Sequence, residues 1–343
     1  MYAISSKASA IAALLLISAG HTSSAEKVTV DNFTRAESDL YFGNAAKDAG
    51  GPGKLHHRRE PMQIDHQVVI RANRDTLYSS GVFDLDAGPV TVILPDAGDR
   101  FMSLIAINED HYVVGDVGYG AGSYTFDRAK AGTRYMLVGI RTLVNPDEPH
   151  DVEVVHDLQD KIKVEQIGGP GAFDAPVWDQ TSQRKVRDAL LMLGTTIPDF
   201  KGAFGSKEVV DPIRHLIGTA LGWGGNPDKD AFYLNVTPAK NDGKTPYRLS
   251  VEDVPVDGFW SISVYNAAGY FEKNSANAYT LNNLTAKKDN DGSVHVQFGD
   301  CSAKVANCIP IADGWNYTVR LYRPRTAVLD GSWKFPEPVP AAQ

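Results

Sequence analysis

The sequence predicts a mainly β protein, and three patterns support this fold class. The segment Val256–Glu272, VDGFWSISVYNAAGYFE, opens on an Asp-Gly turn and then alternates, residue by residue, between two faces. This period-2 alternation of aromatic and β-branched residues is typical of a strand with one buried face. A matching pattern, YTVRLY, occurs at Tyr317–Tyr322. The chain also contains 31 Gly and 19 Pro, which indicates many turns between short elements.

The N-terminal half is predicted to begin with a helix and to continue with short strands. Apolar residues at helical spacing predict a helix over Val30–Lys47, with Asp31 as its cap. Turn signals then separate several short strand patterns, which predict a sandwich or barrel rather than alternating βαβ units. The predicted strands are Gln67–Ala72, Tyr78–Leu85, Val90–Leu94, Phe101–Asn108, His111–Val117 and Tyr135–Arg141.

Helical patterns connect this region to a second β region. Helices are predicted at Asp151–Ile162, at Thr181–Leu193 with Thr181 as cap, and at Glu208–Leu221. Strands resume at Ala231–Thr237 and Tyr247–Val251. We therefore expect an N-terminal β domain over residues 26–165, a helical linker over 166–230 and a C-terminal β domain over 231–343.

The first residues have the layout of a secretory signal peptide. Lys7 supplies the positive start, Ala8–Ala19 the apolar stretch, and Ser23–Ala25 the small residues expected at a cleavage site. These features predict a signal peptide over residues 1–25 and a mature start at Glu26. The apolar run is short for a membrane span, and no Cys stands at the cleavage point. We expect a periplasmic or secreted protein without a membrane anchor.

The only two cysteines, Cys301 and Cys308, are consistent with export, since an oxidising compartment favours a disulfide between them. Such a bridge would stabilise the fold by about 2–3 kcal/mol. The alternative, a metal or redox pair, lacks a nearby His or a second Cys pair.

The net charge of −8 argues against nucleic-acid binding. The only basic run in the sequence is the short segment His56–Arg59.

Asn73–Ser79 places an amide, two charges, a hydroxyl and a phenol at the entry to a strand. Arg74 can hold a substrate carboxylate and Asp75 can act as a general base, with Tyr78 beside the ligand. The alternative is structural: Asp75 caps a turn or pairs with an arginine, and Tyr78 fills the core.

Glu109 and His111 form a second candidate site at a strand end. Because they are two residues apart, they can share one face of a strand and act as an acid/base pair or as metal ligands. A metal would need a third ligand, such as His66 or Asp116, so we predict no metal site. The alternative is a polar hairpin loop.

Aromatic residues are dense in the C-terminal domain. Trp260 and Tyr265 can line a groove and stack on sugar rings or aromatic ligands, with Asn274 as a hydrogen-bonding partner. The alternative is that most of these aromatic residues belong to the core.

Several motifs resemble a pair of bacterial families described only as domains of unknown function, 1254 in the N-terminal part and 1214 in the C-terminal part. The N-terminal likeness lies in Asn73–Ser79, Phe83–Leu85 with Gly88-Pro89, and Asp99–Phe101. The C-terminal likeness lies in Gly258–Ser261, Val264-Tyr265, Asp291–Ser293, Arg320–Pro324 and Gly331–Trp333. The chain departs from the family pattern at Ala276–Ala278, where an Arg is usual, and at Asn307–Pro310, where Asn-Trp-Leu-Pro is usual.

The resemblance implies two jelly-roll-like β-sandwich domains with an N-terminal helix and a helical connecting segment. It implies no settled reaction.

Our first hypothesis for the function is a hydrolase that acts on a small or glycosidic substrate in a cleft between the domains. Asp75 and Glu109 would be its acid/base carboxylates and Arg74 its anion clamp. The alternative is a non-catalytic periplasmic binding or assembly protein. We expect a small-molecule or carbohydrate ligand, no cofactor and no nucleic acid, and we allow for a homo-oligomer.

Overall fold

The computed structural model describes residues 25–67, 70–301 and 305–341. The predicted signal peptide lies outside the described residues except for Ala25. Within this part of the chain the protein is mainly β, with an N-terminal helix and a helical connecting segment, so the predicted fold class is confirmed.

The N-terminal domain is a sandwich of two antiparallel sheets. Its strands are β1 (His56–His57), β2 (Thr76–Asp84), β3 (Val90–Leu94), β4 (Met102–Asn108), β5 (Gly118–Tyr119), β6 (Gly122–Phe126), β7 (Tyr135–Leu143) and β8 (Lys163–Gln166). One sheet has the order β1-β2-β7-β4-β5 and the other the order β6-β3-β8. Apolar side chains from the two inner faces, including Phe83, Val92, Leu104 and Ile140, fill the space between the sheets.

The C-terminal domain is a second sandwich with four strands in each sheet. Its strands are β9 (Ala231–Val236), β10 (Tyr247–Val251), β11 (Trp260–Tyr265), β12 (Thr280–Asn282), β13 (Val294–Phe298), β14 (Cys308–Ile309), β15 (Asn316–Tyr322) and β16 (Val339–Pro340). The sheet orders are β12-β11-β15-β9 and β14-β13-β10-β16. Pairing is antiparallel except between β13 and β14. Trp315, Phe298 and Val319 lie fully buried between the sheets.

The helices of the described chain are α1 (Phe33–Asp48), α2 (Arg128–Ala131), α3 (Pro149–Asp160), α4 (Gln180–Gly194), α5 (Pro212–Gly222) and α6 (Thr326–Leu329). Phe33 of α1, Leu190 of α4 and Ile217 of α5 share one apolar cluster. α1 also packs on β2, so this helical layer is attached to the N-terminal sandwich.

The two sandwiches share buried contacts. Phe101 and Leu143 of the N-terminal domain pack with Ala231, Phe259 and Tyr322 of the C-terminal domain. The ring centroids of Phe101 and Phe259 are 5.0 Å apart, and those of Phe259 and Tyr322 are 4.2 Å apart. The domain interface therefore contains an apolar cluster of its own, to which both sandwiches contribute.

Several predicted elements have different bounds. β3 and β10 have the predicted ones, but α1 begins at Phe33 because Asn32, not Asp31, precedes its first turn. The cap of α4 is Asp179, which accepts a hydrogen bond from the Ser182 amide, so Thr181 lies inside the helix. α5 begins at Pro212, where proline suits the first helical position.

Two predicted strands are wrong. The described residues of Gln67–Ala72 form no strand, and Arg71 has a left-handed φ of 49°. His111–Val117 is not a regular strand either, since His111 has a φ of 62° and the backbone turns there. The sequence reading also missed β6 and β8, which together flank β3 in the smaller sheet.

The prediction that β11 has a single buried face is wrong. All six of its residues are buried, and so are all seven of β15. The polar face of β11, with Ser261, Ser263 and Tyr265, is covered by the N-terminal domain. The Tyr265 hydroxyl donates to the Ala72 carbonyl at 2.7 Å. A polar residue can alternate with apolar ones and still be buried when a second domain covers it.

The predicted disulfide between Cys301 and Cys308 is confirmed, with a Cα–Cα distance of 5.6 Å. It attaches Cys301 to the first residue of β14. Within residues 25–67, 70–301 and 305–341, none of the helices has the length and apolar character needed to cross a membrane.

Candidate functional site

Two adjoining cavities lie where the two sandwiches and the helical layer meet. The first has a volume of about 480 Å³ and reaches from α5 to β15. The second has a volume of about 660 Å³ and is bordered by the segment from His56 to His66. Asn73, Tyr78, Arg141 and Trp223 line both. We call the combined space the interdomain cleft, and both volumes are in the range of small-molecule sites.

The first cavity is strongly cationic. Four arginines line it, and among its lining residues in the described chain there is no Asp or Glu: Arg71, Arg141, Arg187 and Arg320. Of these four arginines, only Arg187 forms a direct ion pair with a described residue, with Glu37 at 2.5 Å. In a chain with a net charge of −8, this concentration of positive charge indicates affinity for anions.

Arg141 lies at the junction of the two cavities. Its guanidinium donates to the Asn226 amide oxygen at 3.2 Å and to the Gly224 carbonyl at 2.9 Å. It lies over the Tyr78 ring, 5.6 Å from the centroid. Its partners in the described chain include no carboxylate. A largely enclosed cation with only neutral partners is costly, because their dipoles compensate the lost hydration incompletely.

Asn73 connects two tyrosines across the domain interface. Its side-chain nitrogen is 3.2 Å from the hydroxyl of Tyr78, on β2, and 3.2 Å from that of Tyr322, on β15. Its side-chain oxygen accepts from the Asp75 amide at 2.8 Å, which fixes the orientation of the amide group. Since an amide nitrogen can only donate, both phenol oxygens act as acceptors here.

The two phenols have pKa values that are shifted in opposite directions. Burial raises the pKa of Tyr78, but the Arg141 cation and the hydrogen bonds from Thr76 and Asn73 outweigh it, so this pKa lies below its usual value. Burial, together with the neighbouring phenols of Tyr233 and Tyr78, raises the pKa of Tyr322 well above its usual value. The pKa of Tyr78 therefore lies below that of Tyr322, so Tyr78 is the more acidic of the two phenols.

Arg320 and Arg71 form the floor of the first cavity. Arg320 donates to the Ser263 hydroxyl at 2.9 Å, to the Arg71 carbonyl at 2.7 Å and to the Tyr265 hydroxyl at 2.8 Å. Arg71 donates to the Asn316 amide oxygen at 3.2 Å, but its buried Nε donates to no protein atom in the described chain. A buried N–H without a partner is costly, because nothing replaces the hydrogen bond that it makes to water in the unfolded chain.

One wall of the first cavity is aromatic. The rings of Trp223 and Tyr41 stack at 4.6 Å, and Phe204 lines the wall beside them. Buried His111 supports this wall from behind: its Nε2 accepts from the Gly224 amide at 2.8 Å, and its Nδ1 lies 2.8 Å from the Thr219 hydroxyl. Burial, aided by His215, holds the pKa of His111 well below its usual value, so the ring is neutral.

Asp75 is fully buried and lines neither cavity. Its Oδ1 accepts from the Thr280 hydroxyl and from the Asn282 amide, both at 2.9 Å. Arg74 donates to the Met62 carbonyl and lies over the Tyr279 ring. The two residues predicted as base and anion clamp thus join the domains outside the cleft.

Glu109 is also buried away from the cleft. Its carboxylate accepts from the Tyr135 amide at 3.0 Å and lies 3.4 Å from Arg35. His111, two residues further on, bonds to α5 and the turn after it, so the two side chains form no common site. No group of three or more potential metal-ligating side chains occurs in the described parts of the chain.

The remaining predicted ligand-binding residues have mixed positions. Trp260 belongs to the core of the C-terminal sandwich. Tyr265 and Asn274 border a small cavity of about 10 Å³, which has room for a single water. Tyr78 is the predicted residue that lies in the cleft.

Arg141 and Arg320 are site residues that the sequence reading missed. Each is a lone arginine inside an otherwise apolar strand pattern, MLVGIRTL and YTVRLY. Because arginine is rarely buried without a partner, such a position is itself a signal of an interface or a site. The sequence pattern alone does not identify which strands face each other.

Fold and site together define a protein of two β-sandwiches with a cationic cleft between them. Residues 52–126 match the family model described as a protein of unknown function, DUF1254, and residues 233–326 match the one described as DUF1214. The predicted resemblance is confirmed, and the two matched regions lie in the predicted order. No curated protein matches the chain significantly.

One solved structure supports the fold, and a second is a weaker match. The VPA0106 protein from Vibrio parahaemolyticus is 18% identical to this chain, with a TM-score of 0.66, and the match covers 91% of this chain and 98% of that one. A putative uncharacterized protein from Burkholderia cenocepacia is 14% identical, with a TM-score of 0.48, and the match covers 85% of this chain and 83% of that one. The first likeness extends over both domains and concerns the fold alone.

Proposed function

We propose that this protein binds a small organic anion in the interdomain cleft. The anionic group lies at Arg141, and the apolar or ring-shaped body lies along the wall formed by Trp223 and Tyr41. The observation that carries this proposal is the Arg141 guanidinium, which faces both cavities without a carboxylate partner in the described chain. A bound carboxylate would supply the missing counter-charge.

The volume and chemistry of the cleft favour binding of this kind. A cavity of about 480 Å³ accommodates a drug-sized molecule, and its aromatic wall gives apolar contact while the arginines give orientation. The hydrolase hypothesis with Asp75 and Glu109 draws no support from their positions, because neither side chain lines the cleft. The ligand-binding alternative is therefore the one that we develop.

Calorimetric titration with matched acids and amides tests the proposal. Benzoate, phenylacetate and 3-phenylpropanoate are the probes, and 3-phenylpropanamide is the neutral match of the last. We expect the acids to bind and the Arg141→Gln variant to bind them about 10- to 100-fold more weakly, as expected for a lost charged hydrogen bond. Arg325→Gln is the control, since Arg325 forms an exposed ion pair with Asp257.

Equal affinity for 3-phenylpropanoate and its amide would contradict the proposal, as would full affinity of the Arg141→Gln variant. Failure of all three acids to bind would also contradict it. Circular dichroism of each variant establishes that a loss of binding does not arise from unfolding.

We further propose that the mature protein begins at Glu26 and acts in the periplasm or outside the cell. The disulfide between Cys301 and Cys308 is compatible with an oxidising compartment. N-terminal sequencing of the protein from a periplasmic extract tests this: a sequence that starts at Glu26 is expected, and an intact N-terminus in the cytoplasmic fraction would contradict it.

A further inference from the structure

The two tyrosines at Asn73 lie beside the proposed anion site. Tyr78 lines both cavities, Tyr322 lines the first, and Arg141 lies over the Tyr78 ring. The side-chain nitrogen of Asn73 is 3.2 Å from each hydroxyl, so both oxygens lie within one small region of the cleft. A ligand whose carboxylate binds Arg141 would have its α-carbon in the same region of the cleft.

We propose that the protein is a lyase in which Tyr78 removes the α-proton of a carboxylate held at Arg141, while an oxygen leaving group departs from the β-carbon. This inference rests on the proposed function, because it uses the same anion site. The substrate class is a β-oxygenated carboxylate. An aryl β-hydroxy acid suits the first cavity with its aromatic wall, and a 4-linked uronate suits the larger second one, which is bordered by His56, Arg59 and Gln63.

The step balances without any oxidant or reductant. The phenolate oxygen of Tyr78 forms a bond to the α-proton, and the C–H electron pair becomes the α,β double bond. The bond from the β-carbon to oxygen breaks, and the leaving oxygen keeps its electron pair and takes the proton of Tyr322. Proton exchange with water returns Tyr78 to the phenolate and Tyr322 to the phenol. The products are an unsaturated acid and water or an alcohol.

The residues around the two phenols can stabilise the negative charge that develops in this step. Removal of an α-proton from a carboxylate builds a second negative charge on its oxygens, which the Arg141 cation stabilises. Arg71, which lines the first cavity, adds a further positive charge there. Tyr78 is the base in this proposal because it lines both cavities beside Arg141, and the opposite pKa shifts of Tyr78 and Tyr322 support the two roles.

The experiment follows product formation from 3-hydroxy-3-phenylpropanoate and from an oligogalacturonate by ultraviolet absorbance of the conjugated acid. We expect product from one of them, a rate that increases with pH below pH 10, and a loss of at least about 100-fold in Tyr78→Phe. That variant should still bind 3-phenylpropanoate within a few-fold. Tyr124→Phe is the control, because the Tyr124 hydroxyl donates to the Tyr119 carbonyl outside the cleft.

Each outcome decides the inference. Product from the aryl acid places the substrate in the first cavity, and product from the oligogalacturonate places it in the second. If neither probe gives product although 3-phenylpropanoate binds through Arg141, the lyase inference is overturned and the proposed function stands. If Tyr78→Phe is as active as the wild type, the role of Tyr78 is overturned. If no acid binds, both proposals fall.

Discussion

At the scale of single residues, Asp39 on α1 is a buried carboxylate with one partner. Its Oδ2 accepts from the Trp178 indole at 2.8 Å, and its Oδ1 has no protein partner in the described chain. Burial raises the pKa of Asp39 to about 6, above its ordinary value of 3.8. Between these two values the folded protein binds more protons than the unfolded chain, so stability falls as pH rises through this range.

We expect Asp39→Asn to remove this pH dependence. At pH 7.5 the variant should be more stable than the wild type by on the order of 2–3 kcal/mol, and near pH 3.5 the two should be alike. Urea unfolding at both pH values measures the difference. The exposed Asp31→Asn is the control. A wild-type stability that increases between pH 4 and 6 relative to the variant would contradict the assignment.

The burial of Asp75 leads to a second prediction. Asp75→Asn should lower the free energy of unfolding by about 1–3 kcal/mol, because it replaces the buried carboxyl group that accepts hydrogen bonds from Thr280 and Asn282 near Arg320. Thermal unfolding measures this. Asp65→Asn is a matched control, since Asp65 and Lys273 form an exposed ion pair between the same two domains and should contribute little. An unchanged melting temperature in Asp75→Asn would contradict the structural role.

At the scale of elements, helices and strands could be predicted from the sequence where a local pattern of residues determines their bounds. β3 and β10 have the predicted bounds because turn residues enclose a clear alternation at each. The predicted strand His111–Val117 is wrong because the backbone of His111 is left-handed. Its ring is buried against Thr219 of α5, which is 108 residues away in the chain. The same limit applies to the site: Tyr78 was found, whereas Arg141 and Arg320 acquire their role only from how the two domains pack.

α5 offers a prediction about one helix and the cleft. The Asp211 carboxylate accepts from the amides of Ile213 and Arg214, both at 2.9 Å, and so caps the helix whose end leads into Trp223. Asp211→Ala should cost about 1 kcal/mol of stability, whereas Asp211→Asn should cost much less because an amide oxygen can also cap. Urea unfolding of both variants measures this. Equal losses in the two would show that capping is not the cause.

At the scale of the whole molecule, the shared core of Phe101, Phe259 and Tyr322 couples the two sandwiches. We expect one cooperative transition in calorimetry rather than one for each domain. Phe259→Ala should cost about 3–5 kcal/mol and separate the transitions. Phe298→Ala removes a ring of similar burial from the C-terminal core alone, so it should lower stability without changing the number of transitions. Two transitions in the wild type would contradict the coupling.

The order of residues along the chain gives the domain interface a further consequence, for biosynthesis. Asn73, Asp75 and Arg141 are synthesised with the first sandwich, but their partners Asn226, Thr280, Asn282 and Tyr322 leave the ribosome much later. Domains generally fold from the N-terminus as the chain emerges. Until those later residues are synthesised, the Asp75 carboxylate and the Arg141 guanidinium at the edge of the first sandwich lack these hydrogen-bond partners. The cleft is completed only when β15 is added, so a nascent chain that stops before that strand lacks the residues that close the site.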